Sequence, residues 1–465
     1  MQLAVSPYSA TLDFILIMDY VEAIVFLVAV IQISRNKMAF PLTAILFLSQ
    51  TYSFCGSNLS TLFFSHQYSD TGLVLYIFML IVMFLHKPQK LDMRLLYPVK
   101  VGIVLFLAFF IIAAIIDLLV NDVKFSSVVR VFRQWICLSA VWMIPYLKPR
   151  DVIKTLNYVM YISVLIAVVY LYEFYTDSNI TGASRFANGT RATIPWSISF
   201  LVFILLFNNC YHISTFLKWL YIAIILFEYI MTGTRSIFIG CIIVSVLSLL
   251  LNNRGFSANK IMVLVLLLAF VGIVLSTDNI LTERLYTTKA DISALQGNGN
   301  RVGGNMSFRL LMVEERMYYL NQHPQYAVFG IGNVQETDFK QHLFHIGLKG
   351  KGGKITQLDT ADIAWALLFL RFGYLGTLIY IGTIFFSMIR VFLQNRRSLL
   401  GFSILLYVLS SLVLLSYTSS DIAFSFFWIL PISVIRLLPS TNFRLVMPKK
   451  KSRVGSNSAL SRDGR

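Results

Sequence analysis

Charge is what this sequence has least of. Asp, Glu, Lys and Arg make up 13% of its 465 residues, where a soluble globular chain carries about 25%. A fully water-facing surface is therefore excluded. Cysteine is scarce too: Cys55, Cys137, Cys210 and Cys241 each lie in or beside an apolar run, none at metal-ligand spacing. That excludes a disulfide scaffold or a zinc framework and leaves the thiols as small apolar residues. Alternation of apolar and polar residues over about ten positions is missing, which argues against a membrane β-barrel. No basic segment precedes the first apolar run, which itself holds Asp13, Asp19 and Glu22. No cleavable signal peptide is expected.

What the sequence has is hydrophobic length. Hydrophobic residues make up 57% of the chain and mean hydropathy is +0.72. The apolar residues cluster in runs of about 18–22, enough for a helix to cross a hydrocarbon core of roughly 30 Å. The reading is an all-α, polytopic helical membrane protein with about 12–14 transmembrane helices. Net charge is +17, from 39 Lys and Arg against 22 Asp and Glu. Basic clusters such as Arg35/Lys37, Lys148/Arg150/Lys154 and Arg390/Arg396/Arg397 fall after every second apolar run. This pattern marks cytoplasmic loops rather than a nucleic-acid surface. The expected organisation is a bundle of transmembrane helices with short loops over 1–276 and one large extracytoplasmic loop over 277–360. Further transmembrane helices over 361–440 and a basic cytoplasmic tail over 441–465 follow. A shorter outer loop near 121–134 carries Lys124, Arg130 and Arg133, against the positive-inside pattern.

Charge at mid-span costs about 2.5–3.5 kcal/mol on insertion scales, so polar residues kept at the ends of spans on one side invite a chemical reading. Arg235, in Met231-Thr-Gly-Thr-Arg-Ser236, joins two apolar runs at the outer face. It reads either as a snorkelling arginine closing a helix hairpin or as a guanidinium suited to bidentate contact with phosphate. Arg309 opens an amphipathic helix pattern in the large loop, and Arg316 lies seven residues on, near the same helical face. Arg185 and Arg191 occupy a second outer loop. Asp359 and Asp362 stand where the large loop returns to the membrane, and Asp421 precedes the last apolar run. Each acid suits a helix N-terminus or can orient or deprotonate a sugar hydroxyl. Phe329-Gly-Ile-Gly-Asn333 has no strand before it, so its glycines point to a tight turn and not to a dinucleotide site. His342 and His345 lack a third ligand, and no metal or other cofactor is expected.

These elements, taken in order over roughly 190–440, resemble the bacterial O-antigen polymerase and ligase superfamily of Wzy-like and WaaL-like membrane glycosyltransferases. Thr232-Gly-Thr-Arg-Ser236 is similar to that family's small-residue, Ser/Thr, Arg element between two helices. Arg309, followed about 20 residues later by Phe329-Gly-Ile-Gly332, is similar to its arginine-led helix and glycine turn. Asp362-Ile-Ala-Trp365 through Arg371-Phe-Gly-Tyr-Leu-Gly376 is similar to its return segment. Ligases of the family typically place a His-Asn pair where this chain has Asp362 and Ile363. The resemblance therefore favours a polymerase over a ligase, and the long outer loop disfavours a flippase or other transporter. It implies a multi-pass protein of the bacterial inner or plasma membrane, and the basic clusters put its C-terminus in the cytoplasm. The implied activity is metal-independent, GT-C-like transfer between oligosaccharides carried on undecaprenyl diphosphate, making O-antigen, capsule or exopolysaccharide. A chain-length regulator and a flippase are the implied protein partners. The expected roles are diphosphate binding by Arg235 and Arg309, with Arg316, Arg185 or Arg191 as helpers. The expected base or hydroxyl acceptor is Asp362 first, then Asp359 or Asp421.

Overall fold

The computed structural model describes residues 12–48, 70–86, 93–176, 196–231, 235–251, 305–336, 338–347, 355–358, 363–417 and 426–438, with scattered positions in 262–277 and Ile422. The fold is all-α, and the chain is a polytopic membrane protein. Helices α1 (Leu12–Ser34), α2 (Ala39–Leu48) and α3 (Asp70–Phe84) pack together and lead into α4 (Met93–Leu119). The next apolar run is broken: α5 (Phe125–Phe132) passes through a 3-10 stretch into α6 (Ala140–Met143), with a bend of 47°. Helices α7 (Pro149–Thr176), α8 (Trp196–Phe207), α9 (Thr215–Met231) and α10 (Arg235–Leu251) follow as antiparallel neighbours. The large loop contributes α11 (Asn305–Gln322) and α12 (Pro324–Phe329). Helix α13 (Ala364–Ile379) continues through a π-helical turn into α14 (Phe386–Gln394), and α15 (Leu399–Val413) and α16 (Phe426–Val434) complete the described bundle.

Three of the described helices are long and apolar enough to cross a membrane unaided: Arg94–Leu119, Pro149–Thr176 and Ala364–Gln394. Helices α1, α2, α3, α8, α10, α15 and α16 contribute shorter apolar stretches, as in a bundle where neighbours share the burial of backbone ends. Large apolar side chains also lie exposed along the long helices, Ile111, Ile112 and Ile115 on α4 and Leu165 and Val168 on α7 among them. In water such a surface would aggregate; in a bilayer it is the face that meets lipid.

Without a hydrophobic drive between helices, packing and polar contacts must hold the bundle. An aromatic knot does so at its centre. Phe106 of α4 meets Trp135, Phe372 and Tyr380 with ring centroids 5.1–5.4 Å apart, which ties α4, the broken helix and α13 together. Trp428 of α16 donates through Nε1 to the Tyr380 hydroxyl at 2.8 Å. That hydroxyl in turn donates to the carbonyl of Ile422. Ile422, between α15 and α16, thus lies at the depth of Tyr380.

Helices α4 and α13 run antiparallel, Thr383 Oγ1 donating to the Gly102 carbonyl at 3.1 Å while Phe109 lies against Phe372 further along. At one end of the bundle Lys148 Nζ reaches the Asn36 carbonyl at 3.4 Å, and Arg436 Nε reaches the Leu147 carbonyl at 2.8 Å. Basic clusters far apart in sequence therefore gather there, and the large loop covers the opposite end. If the basic end is cytoplasmic, a cysteine placed at exposed Lys340, in a Cys55→Ser background, will react with a membrane-impermeant maleimide in intact cells. A cysteine at Lys154 will react only after permeabilisation. The reverse pattern would invert the topology.

Candidate functional site

The large loop is fastened to the bundle by hydrogen bonds whose two sides come from distant parts of the sequence. Helix α11 lies along α13. Buried Met312 packs on Ile363 and Ala366, with Phe308 and Trp365 closing the contact, and Tyr374 donates to Asn321 Oδ1 at 2.8 Å. At His323 the chain turns into α12, with Pro324 in the first helical turn, where a missing N–H costs nothing. Phe329 then stacks on Phe109 of α4 at 5.5 Å.

The glycines after α12 do what the sequence suggested and more. Gly330 has φ +76° and Gly332 φ +91°, backbone that L side chains rarely adopt, so a tight turn forms. Gly330 backs onto the Leu370 and Arg371 carbonyls, and Ile331 N–H donates to the Leu370 carbonyl at 2.8 Å. Gly373 (φ +61°) kinks α13 and receives the Ala327 and Val328 carbonyls in return. The Phe-Gly-Ile-Gly and Arg-Phe-Gly motifs therefore interlock. An alanine at Gly373 would meet the Val328 carbonyl at 2.6 Å and take a left-handed conformation, itself a cost of about 1–3 kcal/mol. Gly373→Ala is expected to lower the melting temperature of the detergent-solubilised protein by several degrees, read by intrinsic tryptophan fluorescence.

Beyond the turn, Asp117 near the end of α4 takes over. Its Oδ2 accepts from the backbone N–H of Asn333 at 2.7 Å and from Asn333 Nδ2 at 2.8 Å, while Oδ1 accepts from Asn121 at 3.0 Å. A Cβ on Gly332 would land on this carboxylate. Arg371 donates to the Val334 carbonyl at 2.8 Å, Gln335 N–H donates to Ser127 Oγ at 2.7 Å, and Arg130 donates to Gln335 Oε1 at 2.6 Å. Arg130, a positive charge on the supposedly outer side, is thus a clasp on the loop.

Carboxylates organise the rest of the loop. Glu336 accepts from the N–H groups of Gln357 and Leu358, and Glu315 from those of His345 and Ile346. The Gln357 side chain bridges Leu343 and Phe344. Arg316 is fully enclosed. It donates to the Met312 and Ile346 carbonyls at 3.0 Å and lies over the Phe344 ring at 4.7 Å. Burial lowers its pKa to about 10, opposed by Glu315 and Glu336. A guanidinium so placed braces the loop and presents no face to a substrate.

Among the other residues singled out from the sequence, Arg309 is half-buried on α11, adjoining Phe308 in its contact with Ile363 and Trp365. Arg235 opens α10. Gly240 of that helix lies against Phe200 and against Leu414 at the end of α15, and two residues past Leu414, Ser416 accepts from Trp365 Nε1 at 2.8 Å. The end of α15 therefore lies between the first turns of α10, which it touches at Gly240, and the start of α13, against which the first half of α11 packs. Arg185, Arg191, Asp359, Asp362 and Asp421, and the side chain of Arg235, lie outside the described residues. Ile363 follows Asp362 directly and is buried at this junction. Ile422, which follows Asp421, lies instead at the depth of Tyr380.

Residues 220–381 match the family model described as O-antigen ligase. This segment belongs to the O-antigen ligase and polymerase superfamily. No curated protein matches it. The matched segment runs from α9 to the π-helical turn and takes in the start of α10, the Arg309 helix, the glycine turn and the kink at Gly373. The match fits a glycosyltransferase-like membrane enzyme with a polysaccharide theme. Asp117, Ser127 and Arg130, which fasten the loop of the O-antigen ligase-like segment, all lie upstream of the match.

Proposed function

We propose that the protein is a polysaccharide polymerase that joins oligosaccharide repeat units carried on undecaprenyl diphosphate at the outer face of the bacterial inner or plasma membrane. The observation that supports this most is the packing of the Arg309-bearing first half of α11 on the return segment at Ile363, next to the end of α15, which also touches the first turns of α10. In this reaction a hydroxyl of the acceptor's terminal sugar attacks the anomeric carbon of the donor glycan. The new glycosidic C–O bond forms as the bond to the diphosphate breaks, with inversion. The leaving undecaprenyl diphosphate keeps the electron pair, and the hydroxyl proton passes to a carboxylate.

Arg235 and Arg309, helped by Arg185 or Arg191, stabilise the charge that grows on the leaving diphosphate. Fixed positive groups at such a lip act in reduced dielectric, where losing one contact typically costs about 10²–10³ in rate. Asp362, or else Asp359 or Asp421, orients the hydroxyl and takes its proton. The donor is already activated, so the scheme calls for no nucleotide, metal or covalent enzyme intermediate. Asp362 and Ile363 occupy the place of the ligase His-Asn pair, which favours the polymerase over the ligase. The test is reconstitution of the purified protein in liposomes with lipid-linked repeat units, with and without lipid A core. A ladder of products without lipid A core is expected. Glycan transferred to lipid A core, with no ladder in its absence, would make the protein a ligase; no transfer in either case would remove the enzyme reading.

A further inference from the structure

A cleft of about 780 Å³ opens between the chain just after α4 and the loop beyond the glycine turn. It is separate from the lip where Arg309 stands. Tyr319, at its edge, follows Arg309 by ten residues of α11, about 15 Å along a helix axis.

Its walls differ in chemistry from those of a phosphate or lipid site. Two acids, Asp122 and Asp338, face two bases, Lys124 and Lys340, so the lining carries no net charge to attract a diphosphate. Asp122, Lys124, Lys340 and Gln341 are exposed, and the cleft opens to water, which disfavours a lipid tail. Tyr319 and Tyr326 add half-buried rings, stacked with centroids 6.1 Å apart and planes inclined by 17°. Charged donors and acceptors of both signs, an amide and flat aromatic faces suit a hydroxyl-rich, apolar-faced ligand of several rings. The volume lies within the range of ligand pockets, about 300–1,000 Å³.

The floor of the cleft is rigid. Ile331, Phe344, Leu358 and Leu370 form a buried cluster beneath it, and the Asp117–Asn333 and Ser127–Gln335 hydrogen bonds hold the two walls together. A site with pre-set walls binds without first having to order them. We propose that this cleft holds the sugar chain of the substrate some 15 Å from its diphosphate, as a glycan subsite separate from the reaction centre. This inference rests on the polymerase reading.

The test uses the full-length protein in lipid nanodiscs. Two probes are titrated by calorimetry: one to three repeat units released by mild acid from the producing cell's own lipid carrier, and undecaprenyl diphosphate bearing no sugar. The glycan is expected to bind the wild type and to bind Lys340→Ala/Gln341→Ala at least fivefold more weakly, with a shorter modal chain length in cells. Both residues are exposed, so the variant should fold; Tyr326→Leu, with the same expected loss, removes a ring as an independent check. Sugar-free undecaprenyl diphosphate is expected to bind the double variant as it binds the wild type. Glycan affinity equal in wild type and both variants would overturn the subsite, and so would equal loss of both probes. Failure of the polymerase reading is a separate result: the reconstituted wild type would then make no ladder at all.

Discussion

Replacing Arg309 with alanine is expected to lower the rate of polymer formation by about 10²–10³-fold, the usual cost of losing one preorganised charge contact on a leaving group. In cells the chain-length ladder should collapse to a single repeat while protein level in the membrane stays normal. The reason lies in where the residue stands. Arg309 is half-buried on a helix whose neighbouring side chains, Phe308 and Met312, are pinned against the return segment at Ile363 and Trp365. A guanidinium on such a support is oriented before substrate arrives. Arg309→Lys keeps the charge but loses the planar fork that grips phosphate through two hydrogen bonds, so a partial ladder is expected. Gel electrophoresis of the surface polysaccharide from complemented deletion strains gives the readout. An unchanged ladder in Arg309→Ala would remove this residue from the diphosphate site.

The second large effect is expected at Asp117. Its carboxylate accepts two hydrogen bonds from Asn333, which is itself buried. Hydrogen bonds to a charged group contribute about 1.5–3 kcal/mol each. Asp117→Ala should therefore destabilise the docking of the loop by about 3 kcal/mol or more, leaving the Asn333 amide buried without its acceptor. At 1.4 kcal/mol per tenfold change, amide hydrogen exchange over 325–340 should speed by about 10²-fold while α7 and α13 keep their protection. Polymer formation should fall with it, because the same loop carries Arg309. Asp117→Asn retains one acceptor oxygen and should fall between the two. Unaltered exchange in Asp117→Ala would show that the interlocked glycines hold the loop without it.

Much of the architecture was legible because lipid imposes a strong rule. Every apolar run drawn from the sequence contains helix at its described positions. The boundaries strayed where charged residues found partners. Helix α7 extends back to Pro149, ahead of its apolar stretch, with Asp151 and Thr155 buried and Thr155 Oγ1 reaching the Ala39 carbonyl of α2. The stretch near 121–134, expected as an outer loop, is helical from Phe125, with Arg130 turned to Gln335. In the last run, Ile422 lies at the depth of Tyr380, and α16 spans Phe426–Val434.

The candidate site was legible as motifs but not as contacts. The two glycine motifs were each visible, yet nothing in either says that Gly330 meets the backbone at Arg371. Arg316, expected as a helper on the same helical face as Arg309, is buried and donates to two backbone carbonyls, which sequence alone does not show. Asp117 passed unnoticed inside an apolar run because its partner is 216 residues away. One signal was there to be read: a lone carboxylate is costly so near a membrane span and is kept only for a partner.

The clasp between α4 and the loop also bears on how such an enzyme changes over generations. Asp117, Asn333, Arg371 and the paired glycines bear the mechanical duty of holding the loop in place. Lys340 and Gln341, on the rim of the cleft, take part in none of those bonds. Substitutions on the rim can therefore accumulate while the anchor stays intact, and a lineage can shift from one sugar sequence to another without rebuilding the helices beneath.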